Sequence, residues 1–174
     1  SIGSLNINGG NQDSYLQMNA GVSLTVTGQT YLNSNSNDDE KAIRIDAGIL
    51  ITGSLSANSN GDTRDAYLRI STGTVNVAGS ITLNSTNVRT YILFTGTGTL
   101  NIGSDMSGGG ITSIAGGGAS APTSGTVDYN GSAAQAIGSY TYNNLVLSGT
   151  GPFTASGAIT VNGTFSASGQ VSSA

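Results

Sequence analysis

Apolar and polar residues alternate along most of this chain, and the alternation returns in phase about every 25 residues. The recurring phrase is apolar-x-apolar-x-Gly, with Asn five residues later. Leu24-Thr25-Val26-Thr27-Gly28 leads to Asn33, Ile49-Leu50-Ile51-Thr52-Gly53 to Asn58, and Val75-Asn76-Val77-Ala78-Gly79 to Asn84. Period-2 alternation rich in β-branched residues predicts short strands, and self-similarity at a period of roughly 20–50 residues predicts a solenoid. No stretch sustains a helical period.

Each repeat divides into three strands. The first passes through Leu16-Gln17-Met18, Ile43-Arg44-Ile45, Leu68-Arg69-Ile70 and Ile92-Leu93-Phe94, whose outer members point inward and whose middle members face solvent. A turn with Gly21, Gly48, Gly73 or Gly98 follows. The second strand is expected to bury Leu5/Ile7, Leu24/Val26, Ile49/Ile51, Val75/Val77 and Leu100/Ile102, and the third Thr30/Leu32, Leu55/Ala57 and Ile81/Leu83. Three strands per coil, each coil rising about 4.8 Å, describe an all-β parallel β-helix. Asn33, Asn58 and Asn84 then form a ladder of buried amides, each bonded to the coils above and below. An antiparallel sandwich also has short strands, but it does not account for the shared phase of the asparagines.

The organisation along the chain is regular solenoid over residues 1–107, a Gly-rich loop or insertion over 108–125, and less regular solenoid repeats over 126–174. In this last part the residues Val127-Asp128-Tyr129-Asn130-Gly131-Ser132-Ala133-Ala134-Gln135, Tyr142-Asn143-Asn144-Leu145-Val146-Leu147-Ser148-Gly149 and Gly157-Ala158-Ile159-Thr160-Val161-Asn162-Gly163-Thr164-Phe165 stand out. They resemble β-strand-repeat units of very large secreted or surface-attached proteins of Bacteroidetes and related bacteria. Residues 1–112 resemble generic β-helix repeats of bacterial adhesins. The resemblance implies export, an extracellular or cell-surface location, and a role in attachment, sheath or filament building. It implies no active site.

Composition narrows the function further. Charged residues make up only 8% of the chain, with 27 Gly and a net charge of −4, so no basic patch exists to neutralise nucleic-acid phosphates. There is no Cys, His or Trp, which removes disulfides, zinc-thiolate sites and the usual bases and thiols of hydrolases. Apolar runs are far too short for a membrane helix, and Ser1-Ile2-Gly3-Ser4 has no signal-peptide pattern. The expectation is a protein that is not an enzyme, needs no cofactor and does not insert in a membrane.

Three groups of residues are candidate sites. Asp38, Asp39, Glu40, Asp62 and Asp65 gather in the loops between coils and offer oxygen ligands of the kind calcium takes, without a full EF-hand pattern. A solvated loop in which Lys41, Arg64 and Arg89 offset the acids is the plainer reading. Arg44 and Arg69 share an outward row between Gln17 and Leu93, with Asp46 in reach. They form either a sugar- or anion-docking face or surface salt bridges, and the latter is preferred. Tyr15, Tyr67 and Tyr91, with Ala42 in the fourth coil, form either an aromatic platform or a stack that only supports the strands. Ice binding needs an outward Thr-x-Thr rank, and the row beside Val26 reads Thr25, Leu50, Asn76 and Asn101, which is too mixed. The second-strand reading of Leu5-Asn6-Ile7 leaves the terminal coils uncapped. The expected partners are therefore further repeats of a longer chain or other copies stacked end to end, with surface glycans as the alternative.

Overall fold

The computed structural model describes residues 1–8, 12–34, 40–59, 64–85, 89–112 and 120–173. Within them every regular element is a strand, and every strand pairing is parallel. The order begins β1 (Leu5–Ile7), β2 (Ser14–Met18), β3 (Ser23–Ser34), β4 (Lys41–Ile45), β5 (Ile49–Ser59) and β6 (Ala66–Ile70). It continues with β7 (Thr74–Val77), β8 (Ile81–Ser85), β9 (Thr90–Phe94), β10 (Thr99–Ile102), β11 (Met106–Gly108) and β12 (Gly110–Thr112). In β3 and β5 the second and third strands of the coil run together as one.

The remaining strands are β13 (Thr126–Tyr129), β14 (Gln135–Ile137), β15 (Thr141–Tyr142), β16 (Asn144–Leu147), β17 (Phe153–Ala155), β18 (Thr160–Val161), β19 (Phe165–Ala167) and β20 (Val171–Ser173). Strands pair with their counterparts one coil away. Ile43 lies beside Leu68 and Leu68 beside Ile92, while β10 pairs with both β7 and β13. The chain is a parallel β-solenoid.

Stacking carries the inward residues into continuous columns. Ile43, Leu68 and Ile92 form one, and Met18, Ile45, Ile70 and Phe94 another, all buried in a single aliphatic core. Each such side chain contributes about 1.5–3 kcal/mol by leaving water. The glycine of the recurring phrase is required by close approach. A Cβ on Gly28, Gly53 or Gly79 would lie 2.6, 2.7 or 2.8 Å from the carbonyl oxygen of the glycine in the coil before it.

Two expected positions are corrected. Leu5 and Ile7 pair with Thr30 and Leu32, so β1 belongs to the third-strand column, and Ile2 takes the second-strand place beside Val26. In β5, Leu50 and Thr52 point inward, and Ile49 and Ile51 are 43% and 39% exposed. The outward row is therefore Thr25, Ile51, Asn76 and Asn101. The cause is the preceding corner. The step from inward Ile45 to Leu50 has the same length as the step from Ile70 to Val75, and stopping at Ile49 would leave the turn one residue short. Turn length fixes register, and a one-residue slip exchanges the two faces. The offset is absorbed by an irregularity between Val26 and Gln29, so the glycines still stack. Thr52 takes its inward place by hydrogen-bonding Thr30 across 2.8 Å in the core.

The coil shortens toward the far end. Val127 pairs with Leu145, Gln135 with Phe153 and Leu145 with Phe165, which are 18, 18 and 20 residues apart. Aromatic side chains fill this narrower bore. Tyr129, Tyr142 and Phe153 are fully buried. The Gly138 amide donates to the Tyr129 hydroxyl at 3.3 Å, and the Tyr142 hydroxyl donates to the Gly138 carbonyl at 2.8 Å. Tyr129 must then donate to Tyr142 across their 3.1 Å separation, which closes the ring of bonds. Gln135 secures the junction. Its amide donates to the carbonyls of Ile102 and Ser104 and accepts from Gly131.

The corrected register makes a sharp prediction. Leu50→Ala should cost about 2–5 kcal/mol as a core truncation, whereas Ile51→Ala should change stability by less than about 1 kcal/mol. Urea denaturation of the two variants checks this, and the opposite order would restore the register counted back from the glycine.

Candidate binding face

Strands β2, β4, β6, β9 and β12 form the sheet whose outward side carries the candidate tyrosines and arginines. One outward column reads Tyr15, Ala42, Tyr67 and Tyr91, and the next reads Gln17, Arg44, Arg69 and Leu93. Parallel register alone brings these residues together.

The aromatic column is a closed stack over most of its length. Tyr67 and Tyr91 lie with centroids 5.0 Å apart and planes 5° from parallel. Ala42 opens a gap between Tyr15 and Tyr67, and the Arg44 guanidinium occupies it. Its central carbon is 4.0 Å from the centre of the Tyr15 ring, and its Nη2 is 3.5 Å from the Tyr67 hydroxyl. Tyr67 and Tyr91 are only 5% and 1% exposed, so they offer no platform; Tyr15, at 53%, is the accessible ring of the column.

The acids next to this column serve the tyrosines. The Tyr67 hydroxyl donates to Glu40, which also accepts from Arg44 at 2.8 Å. One coil on, the Tyr91 hydroxyl donates to Asp65 at 2.8 Å, and Arg89 donates to the other oxygen at 3.2 Å. Asp46 pairs with Arg69 and accepts from Gln17 at 2.8 Å. The Arg44–Glu40 and Arg69–Asp46 pairs remain partly exposed, and such pairs contribute under about 1 kcal/mol each. Lys41, expected in a solvated loop, is instead fully buried and donates to the Gln12 carbonyl at 2.6 Å.

Of the calcium candidates, Asp38, Asp39 and Asp62 lie outside the described residues. Glu40 and Asp65 are engaged as above. Among the described residues no three acids, His or Cys gather as a metal site.

The asparagine ladder forms on the outside of the third-strand sheet. Asn33, Asn58 and Asn84 are in register, and Asn58 Nδ2 donates to Asn33 Oδ1 at 3.2 Å. Asn33 and Asn58 are half-buried and Asn84 is exposed, which corrects the expectation of buried amides. The residue that turns inward is the following serine, Ser34 or Ser59. The repeated Asn-Ser pair was the available signal. A second amide pair lies in the outward second-strand row, where Asn101 Nδ2 donates to Asn76 Oδ1 at 2.6 Å.

Burial and the Glu40 bond push the Tyr67 hydroxyl up to about 12, and burial pushes Tyr140 up to about 12 as well. Burial also raises Tyr129 and Tyr142. No family model, curated protein or solved structure matches this chain.

A raised tyrosine holds its proton longer when folded. Its contribution is therefore complete below the ordinary value of about 10 and lost as the pH rises from there through the folded value. Stability should fall steeply between pH ~10 and ~12. Tyr67→Phe should make that fall shallower. Urea midpoints measured across this range check the sign, and a flat profile would contradict the burial of these hydroxyls.

Proposed function

We propose that this chain is a structural β-solenoid module of an exported bacterial surface protein, contributing to a stalk, sheath or self-assembling filament. The observation that carries the reading is the open backbone at both edges of the stack. Among the described residues β1 and β2 at one end and β18, β19 and β20 at the other each have one ladder partner, as do β11, β12, β14 and β15 where the wide coils give way to narrower ones. The last coil also exposes Phe165 by 55% and Val171 by 47%. Unpaired parallel edges with apolar residues are templates for further strands. Further coils of a longer chain or a second copy would satisfy them equally well.

The lateral faces support the same reading. Many of their side chains engage one another from coil to coil, as the tyrosine, asparagine and carboxylate pairings show. Cross-section adds a constraint on copies. A coil of about 25 residues forms one edge and one of 18–20 the other, so like edges match in size and unlike edges do not. Like-to-like contacts that alternate along an axis can still run open-ended. A second reading, a carbohydrate-binding or adhesin module, is favoured by one cleft described below.

Negative-stain electron microscopy of the purified chain at micromolar concentration tests the proposal. Rods or filaments, shortened in Phe165→Asp, are expected. Dispersed single particles in both proteins would contradict self-assembly.

A further inference from the structure

Many outward polar side chains bond to a neighbour one coil away, and on one patch four of them gather without such a bond. On the outer face of β1 and β3, Asn6 lies beside Tyr31 in register, with Gln29 two residues earlier on β3 and Ser4 just before β1. Ser4, Leu5, Asn6, Gln29 and Tyr31 line a cleft of about 280 Å³. Tyr31 is half-buried there, while Asn6, Gln29 and Ser4 are exposed. No hydrogen bond joins the side chains of these four polar residues to any other described residue.

The contrast with the other tyrosines is informative. Tyr67, Tyr91, Tyr129, Tyr140 and Tyr142 all use their hydroxyls in internal bonds, and Tyr15 is held under Arg44. A second groove, of about 370 Å³ beside Gly108 and Ser139, includes Tyr140, whose hydroxyl already donates to the Gly108 carbonyl at 2.6 Å. Tyr31 alone combines an accessible ring with amides and hydroxyls that are free to bond outward.

We infer that this cleft binds one ring of a neutral saccharide. The ring of Tyr31 presents an apolar face to the C–H face of a pyranose, and an aromatic side chain with a polar tip suits a ligand that is apolar on one side and wet on the other. The Asn6 and Gln29 amides each offer both a donor and an acceptor, and the Ser4 and Tyr31 hydroxyls add two more groups of the same kind, which matches the alternation of sugar hydroxyls. The five lining residues carry no formal charge, so the site favours a neutral sugar over an acidic one. Its volume falls just below the roughly 300 Å³ at which pockets for drug-sized ligands begin, which fits one ring and leaves a chain to extend over the surface. The cleft is bordered by β1, an open edge strand, but sugar binding is read by NMR and assembly by microscopy, so the two readings fail separately.

The test is saturation-transfer NMR of the whole chain with maltose, cellobiose and chitobiose, each at millimolar concentration, followed by titration of whichever binds. Wild-type protein should bind at least one disaccharide. Tyr31→Ala should weaken that binding at least tenfold, and Asn6→Ala should weaken it severalfold. Tyr15→Ala, on another face, should leave it unchanged, and circular dichroism should show all variants folded. Failure of all three sugars to bind would overturn the inference. So would binding that survives Tyr31→Ala, or that disappears equally in Tyr15→Ala.

Discussion

Everything in this molecule depends on parallel strands meeting in register at a spacing of about 4.8 Å. Each residue has a fixed neighbour above and below, so a side chain must suit its counterparts one coil away before anything else. Ile43 sits beside Leu68, Gly28 beneath Gly53, and Asn33 beside Asn58. The backbone ladder supplies direction and pitch. The side-chain columns decide which register the ladder adopts.

The same constraint explains how departures are tolerated. Where the tyrosine column is broken by Ala42, the guanidinium of Arg44 takes the vacant place between two rings. Where Thr52 enters an apolar column, Thr30 in the preceding coil provides a hydroxyl for it. Where the coil contracts, Gln135 ties down the carbonyls of the last wide coil and two tyrosines share a closed set of bonds with Gly138. Buried polar groups are kept only with partners, as the cost of leaving one unpaired demands.

Much of this was legible in the sequence because repetition reports on stacking directly. The fold class, the first-strand columns from Ile43 to Phe94 and the third-strand pairs such as Leu55/Ala57 follow from period and alternation. The face of β5 did not, because Ile49-Leu50-Ile51-Thr52 is apolar at both parities until Thr52, and the length of a corner decides between them. Nor did the burial of Tyr67 and Tyr91, since alternation assigns a side chain to the outer face without saying what covers that face. The Tyr31 cleft was missed for a related reason. Assigning Leu5-Asn6-Ile7 to the wrong column separated Asn6 from Tyr31, and register is what brings them together.

The in-register stack itself is best tested by covalent capture, and a chain without cysteine gives a clean background. Ile51 and Asn76 are direct partners on adjacent coils, within the Cα separation of about 4.4–6.8 Å that a disulfide spans. The double variant Ile51→Cys with Asn76→Cys should oxidise to an intramolecular disulfide in the folded protein, read as a shift in non-reducing electrophoresis. Leu50→Cys with Asn76→Cys should not, because Leu50 points into the core. Cross-linking of the second pair in preference to the first would contradict the register, and with it the structure built upon it.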